Sequence, residues 1–222
     1  MKYYPVFLDL KGKSCLVAGG GRVAERKTRS LLAAGAEVVC VSEKFTPGIL
    51  QLARKKKILL RKEILSPRSF SGGRLKGFFL VFGATSSSAV NAGIFKACRK
   101  KNILVNAADD VEHCNFIAPA ILSRGLLTIA VSTGGASPTL AKRIKARLEE
   151  LFGPEYALFL SFMARERKSI LARVATPGKR KKIFAEMTAP EILGLFARKN
   201  TAAVNKGYHS ILRKYGVKGP KS

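Results

Sequence analysis

The apolar positions of this chain fall into short runs, separated by turn residues and by longer stretches with helical spacing. Residues 14–18 (SCLVA) form one such run and end in three glycines, which predicts a buried strand entering a tight turn. Val23, Leu31 and Leu32 then stand apolar among charged positions, and Gly35 supplies a stop, so a helix is expected over Val23–Ala34. EVVCVS at 37–42 reads as a second buried strand. A helix is expected from Pro47 through ILQLARKKK, and a third strand over Ile58–Leu65. The strongly apolar GFFLVFGA at 77–84, a helix over 87–101 and a strand over Ile103–Ala107 complete the series. Strands alternating with helices at this spacing predict an α/β domain with a Rossmann-type, doubly wound parallel sheet. Near-continuous apolar strands agree, because parallel sheets are covered on both faces.

The pattern changes after the pair Asp109-Asp110. Phe116–Leu122 and Leu126–Thr133 flank Ser-Arg-Gly, which predicts a hairpin with Gly125 in its turn. Ser137-Pro138 reads as an N-cap followed by proline at the first helical position, and Leu140, Ile144 and Leu148 share a face of the helix after it. From Pro154 onward only helices are expected, with breaks near Thr176-Pro177-Gly178, Ala189-Pro190 and Lys206-Gly207. The expected division is a Rossmann-type domain over 1–113, a middle segment over 114–150 and a small helical, basic domain over 151–222.

Charge changes the picture. The chain has 41 basic and 14 acidic residues in 222, a net charge of +27, with +16 in residues 1–150 and +11 in 151–222. An excess spread in this way favours an anionic partner, although a general surface bias would look the same. Cys15, Cys40, Cys98 and Cys114 are far apart and lack metal-ligand or disulfide spacing, which fits a reducing cytosol and predicts no resident metal. No signal-peptide pattern is read at the N-terminus, and no run approaches the roughly 18 apolar residues that span a bilayer.

Gly19-Gly20-Gly21-Arg22-Val23-Ala24 matches G-x-G-x-x-G/A between a strand and a helix. Gly19 permits the turn, Gly21 admits a pyrophosphate to the helix N-terminus, and Ala24 allows helix to pack on strand. Glu43, 24 residues after Gly19, stands where a carboxylate would bind ribose hydroxyls; this favours NAD, while Lys44 leaves NADP open. Ala84 and Thr85, where the fourth apolar run ends, are counted with these cofactor residues.

The stretch YPVFLDLKGKSCLVAGGGRVAERKTRSLLAAGAEV resembles the siroheme-synthase dehydrogenase family. So do ATSSSAVN and VNAADDVEHCNFIAPAILSRGLLTIAVSTGGASPTLAKRIKARLE, in order across about residues 3–150. The resemblance implies a precorrin-2 dehydrogenase that uses NAD⁺ to make sirohydrochlorin, some members also inserting Fe²⁺ as a substrate. It implies a homodimer, with 114–150 as the dimerisation segment. It places a catalytic carboxylate at Asp109, leaving Asp110 as a turn former. Ser132 and Thr133 correspond to positions near the substrate pocket, the threonine being a departure from the family pattern. The carboxylates of an early tetrapyrrole also give the basic residues a purpose, with Arg124, Lys142 and Arg143 as candidates. His113 is weighed as an aid to proton transfer against a plain loop residue.

A reading from another class is an NAD-binding redox sensor or nucleic-acid-binding module. Against it, RKTRS, RKKK and KRKK lack interleaved aromatics and the chain has no Trp.

Overall fold

A computed structural model describes residues 3–108 and 110–217, and they fall into two compact units divided between Ala118 and Pro119. In the first unit β1 (Ser14–Ala18) leads through the glycine turn to α1 (Arg22–Ala33). β2 (Glu37–Ser42), α2 (Pro47–Arg54) and β3 (Ile58–Lys62) follow, then β4 (Leu80–Gly83), α3 (Ser88–Arg99), β5 (Leu104–Ala107) and β6 (Asp110–Cys114). The sheet order is β3-β2-β1-β4-β5-β6, parallel from β3 through β5. The apolar runs specify this directly: Cys15, Val17, Cys40 and Leu80 pack on the α1/α2 face with Ala24, Leu31 and Ile49. Leu16, Val39, Val81 and Val105 pack on the other face with Val90, Ile94 and Cys98 of α3. Phe70 and Leu75, from the helix-free connection between β3 and β4, complete that second face.

Three expectations need correction. Asp110 and His113, read as turn and loop residues, belong to β6, which pairs antiparallel with β5 across an irregular register. The sheet is therefore mixed at this edge. The run 77–84 contributes only Leu80–Gly83 to a strand: Phe79 is already 37% exposed and the turn at Gly77 has φ +88°. Finally, Lys206-Gly207 does not break a helix. α8 runs unbroken from Thr201 to Lys214, capped by Asn200, whose Oδ1 accepts the Ala203 N–H at 3.0 Å.

In the second unit β7 (Ala120–Arg124) and β8 (Leu127–Val131) form the expected hairpin, with Gly125 at φ +59°. α4 (Pro138–Leu151) follows, capped by Ser137. α5 (Glu155–Arg173), α6 (Pro177–Met187), α7 (Pro190–Ala197) and α8 enclose a core of Phe162, Ile170, Ile183, Met187, Val204, Tyr208 and Leu212. No helix among the described residues is long and apolar enough to cross a membrane.

Candidate functional site: a nucleotide groove

Strand order reverses between β1 and β4, and open α/β sheets bind ligands just outside the strand ends at such a point. A groove of about 760 Å³ lies there. All nine cofactor residues named from the sequence, Gly19, Gly20, Gly21, Arg22, Val23, Glu43, Lys44, Ala84 and Thr85, line it. Sequence reasoning missed the rest of the wall, chiefly Phe45 and Thr46 before α2, Ile64 and Leu65 after β3, and Ser86 and Ser87 before α3. The recurrent Ser/Thr at helix starts was the available signal, since Thr46 and Ser87 are N-caps.

The three glycines have different jobs. Gly19 has φ +127°, and a Cβ there would collide with the Ala84 carbonyl. A Cβ on Gly20 would collide with the Lys44 carbonyl, and the Gly20 carbonyl accepts the Thr46 N–H at 2.9 Å. Both are therefore required by the protein's own packing. Gly21 is different: nothing lies within 4 Å of where its Cβ would be. It is the N-cap of α1 and offers no side-chain cap, whereas Thr46 caps α2 and Ser87 caps α3. The first N–H groups of α1 are left for an anion, at the positive end of the helix. This geometry fits a dinucleotide pyrophosphate.

Glu25, in the first turn of α1, would repel such an anion if unpaired. It accepts hydrogen bonds from Thr46 Oγ1 at 2.6 Å and Arg29 at 2.7 Å, which hold its carboxyl below the usual range. Glu43 and Lys44 are both exposed at the β2 end of the groove.

Asp109 lies outside the described residues. Its neighbour Ala108 lines the groove, donating its N–H to the Gly83 carbonyl at 2.7 Å, so the chain position after β5 is at the groove's edge. Among the described residues no cluster of His, Cys, Asp and Glu could hold a metal ion.

The substrate candidates belong to the second unit. Ser132 Oγ accepts the Gly134 N–H and Thr133 Oγ1 accepts the Ser137 N–H, so both hydroxyls shape the loop before α4. Arg124 donates to the Phe152 carbonyl at 3.0 Å, tying the hairpin to the end of α4, while Lys142 and Arg143 are exposed.

Residues 6–120 match a family described as putative NAD(P)-binding, and residues 124–151 match one described as sirohaem biosynthesis protein central. The chain belongs to the siroheme-synthase family. Its relatives include the siroheme synthase of Nitrosococcus oceani, 40% identical over 84% of this chain and 38% of that protein. Siroheme synthase 1 of Serratia proteamaculans is 33% identical over 97% of this chain and 44% of that protein. The chain thus spans about two fifths of the length of the curated relatives it matches. Among solved structures, SirC, precorrin-2 dehydrogenase, matches with a TM-score of 0.76 at 29% identity, covering 95% of this family member and all of that chain.

Proposed function

We propose that this protein is an NAD⁺-dependent precorrin-2 dehydrogenase, acting in the cytoplasm and forming sirohydrochlorin. The observation that carries the reading is the end-to-end likeness to SirC, precorrin-2 dehydrogenase, together with a groove whose open glycine and uncapped helix suit a dinucleotide. The reaction removes a hydride and a proton from the macrocycle, and NAD⁺ supplies the hydride acceptor. The chain's own residues do the rest. Gly21 and the start of α1 hold the pyrophosphate, and Glu43 binds ribose hydroxyls. Asp109, next in the chain to the groove-lining Ala108, takes the proton. A carboxylate at the C-terminal edge of a parallel sheet is suited to that task.

The substrate is a polycarboxylate, which the net charge of +27 attracts and which Lys142, Ser132, Thr133 and Arg124 help to hold. A second copy of the chain is the partner for the hairpin and α4, where Ile121, Leu126, Leu140 and Ile144 are exposed. If the protein also inserts Fe²⁺ as a substrate, Asp109 serves that step too.

The test is turnover of enzymatically made precorrin-2 with NAD⁺ under anaerobic conditions, following NADH and the sirohydrochlorin spectrum. Wild type is expected to turn over. Asp109→Asn is expected to bind NAD⁺ normally and to lose about 10²–10⁴ in kcat. Absence of NADH from wild type sinks the reading.

A further inference from the structure

Asn91 is 5% exposed, one of the few buried polar side chains among the described residues, and it stands one turn into α3 below the groove. Its Oδ1 accepts the Thr85 N–H at 3.3 Å and lies 2.9 Å from Thr85 Oγ1, while its Nδ2 donates to the Thr85 carbonyl at 3.2 Å. One side chain thus satisfies both backbone groups of a single turn residue. Those partners also decide which end of the amide is which, since an N–H needs oxygen and a carbonyl needs nitrogen. Thr85 Oγ1 accepts the Ser87 N–H at 3.3 Å and the Asn91 N–H meets the Ser87 carbonyl at 3.1 Å, closing the β4–α3 turn into a knot.

This knot bears on the glycine turn. The Cβ position of Gly19 falls on the Ala84 carbonyl and 3.2 Å from the Thr85 nitrogen, so the two turns touch backbone to backbone. On the other side, a Cβ at Gly83 would lie 3.2 Å from Asn91 Oδ1, so the missing side chain there makes room for the amide. A line of contacts therefore runs from Asn91 through the Ala84–Thr85 peptide to Gly19, at the start of the pyrophosphate turn.

We infer that Asn91 is a positioning residue of the nucleotide site. It touches no ligand position itself. It holds the Ala84–Thr85 peptide as the stop against which the glycine turn is set, so losing it loosens a turn on a different strand. The inference rests on the reading that the groove takes NAD⁺.

The experiment has two readouts on Asn91→Ala: NAD⁺ affinity by calorimetry, and backbone hydrogen exchange without ligand. Affinity is expected to fall roughly tenfold, the scale of unsatisfying buried backbone groups, and KM for precorrin-2 to stay within twofold. Exchange is expected to rise in Ala84–Ser87 and also in Gly19–Arg22. Ile94→Val, a fully buried change on the same helix, controls for plain destabilisation: it should lower the melting temperature and leave both readouts alone. If Asn91→Ala does not fold, Asn91→Asp keeps an acceptor for the Thr85 N–H and loses the donor to its carbonyl; because it also adds a charge, hydrogen exchange is its readout, and exchange should still rise in both Ala84–Ser87 and Gly19–Arg22. Unchanged NAD⁺ affinity in Asn91→Ala, or exchange that rises around Thr85 and stops short of Gly19, overturns the inference. No NAD⁺ binding by wild type overturns the nucleotide reading and this inference with it.

Discussion

Nδ1 of His113 lies 2.5 Å from Oδ2 of Asp110, and the other oxygen of that carboxylate accepts the His113 N–H at 3.1 Å. The pair ties the first residue of β6 to its fourth. The imidazole hydrogen bond is the main reason the Asp110 carboxyl is held below its ordinary value of 3.8. A carboxyl depressed by folding contributes stability above its unfolded value and loses that contribution as pH falls through the lower folded one. Asp110→Asn is therefore expected to cost stability at neutral pH, with the gap to wild type closing only as the pH drops below 3.8. Both side chains are about 30% exposed, so the effect will be small. Urea unfolding of both proteins across the acid range checks it; a gap that persists in acid would put the loss in packing.

Gly19 and Gly21 should separate folding from binding. Gly19→Ala forces a side chain into φ +127° and onto the Ala84 carbonyl, and should cost about 1–3 kcal/mol of stability. Gly21→Ala, at φ −82° with open space around it, should stay within about 1 kcal/mol of wild type and yet weaken NAD⁺ binding. Thermal unfolding and calorimetry on the two variants read this directly. Equal affinities for Gly21→Ala and wild type would remove the pyrophosphate from that turn.

Glu43 and Lys44 stand side by side at the β2 end of the groove with opposite charges. On the proposed reading, Glu43→Gln removes the charge that would discriminate against a 2′-phosphate. The ratio of kcat/KM for NAD⁺ over NADP⁺ should fall by about tenfold, the scale of one charged hydrogen bond. An unchanged ratio would mean the ribose does not meet this side chain.

The helical unit has its own core, and Ile170, Ile183 and Leu212 are fully buried in it from three different helices. Ile183→Ala should cost about 2–5 kcal/mol, measured by chemical denaturation followed through helical circular dichroism. A loss below 1 kcal/mol would indicate that α6 is not packed as described.

Much of the first unit was legible because its central strands β1, β2 and β4 are buried on both faces, so each appears as an unbroken apolar run closed by a turn. β6 escaped notice for the converse reason. It is an edge strand of sequence DVEHC, carrying no apolar run, and its pairing is extended by a side chain: Asn115 Oδ1 accepts the Val105 N–H and its Nδ2 donates to the Ile103 carbonyl. Gly207 misled in the other direction. Its Cβ would lie 3.1 Å from Ile192 Cδ1, so the glycine serves the approach of α7 to α8 and not a break. In the groove, the glycine turn was visible because its spacing is local. Ile64 and Leu65 were not: read as the end of a third strand over Ile58–Leu65, they lie past β3, which stops at Lys62, in the connection that runs along the groove.

The four thiols have a practical consequence. Cys15, Cys40 and Cys98 are sealed in the sheet core, where burial pushes Cys15 up to about 11 and Cys98 up to about 12. Cys114 is only partly buried, on β6, with its sulfur 3.2 Å from the Ala107 nitrogen, one residue from the groove lining. In a chain without tryptophan, this makes the native protein its own reporter. A chromogenic disulfide reagent should titrate one thiol slowly in the folded state and three more only on unfolding. The rate of that first reaction would follow ligand arrival at the neighbouring strand end, with no label and no engineered residue.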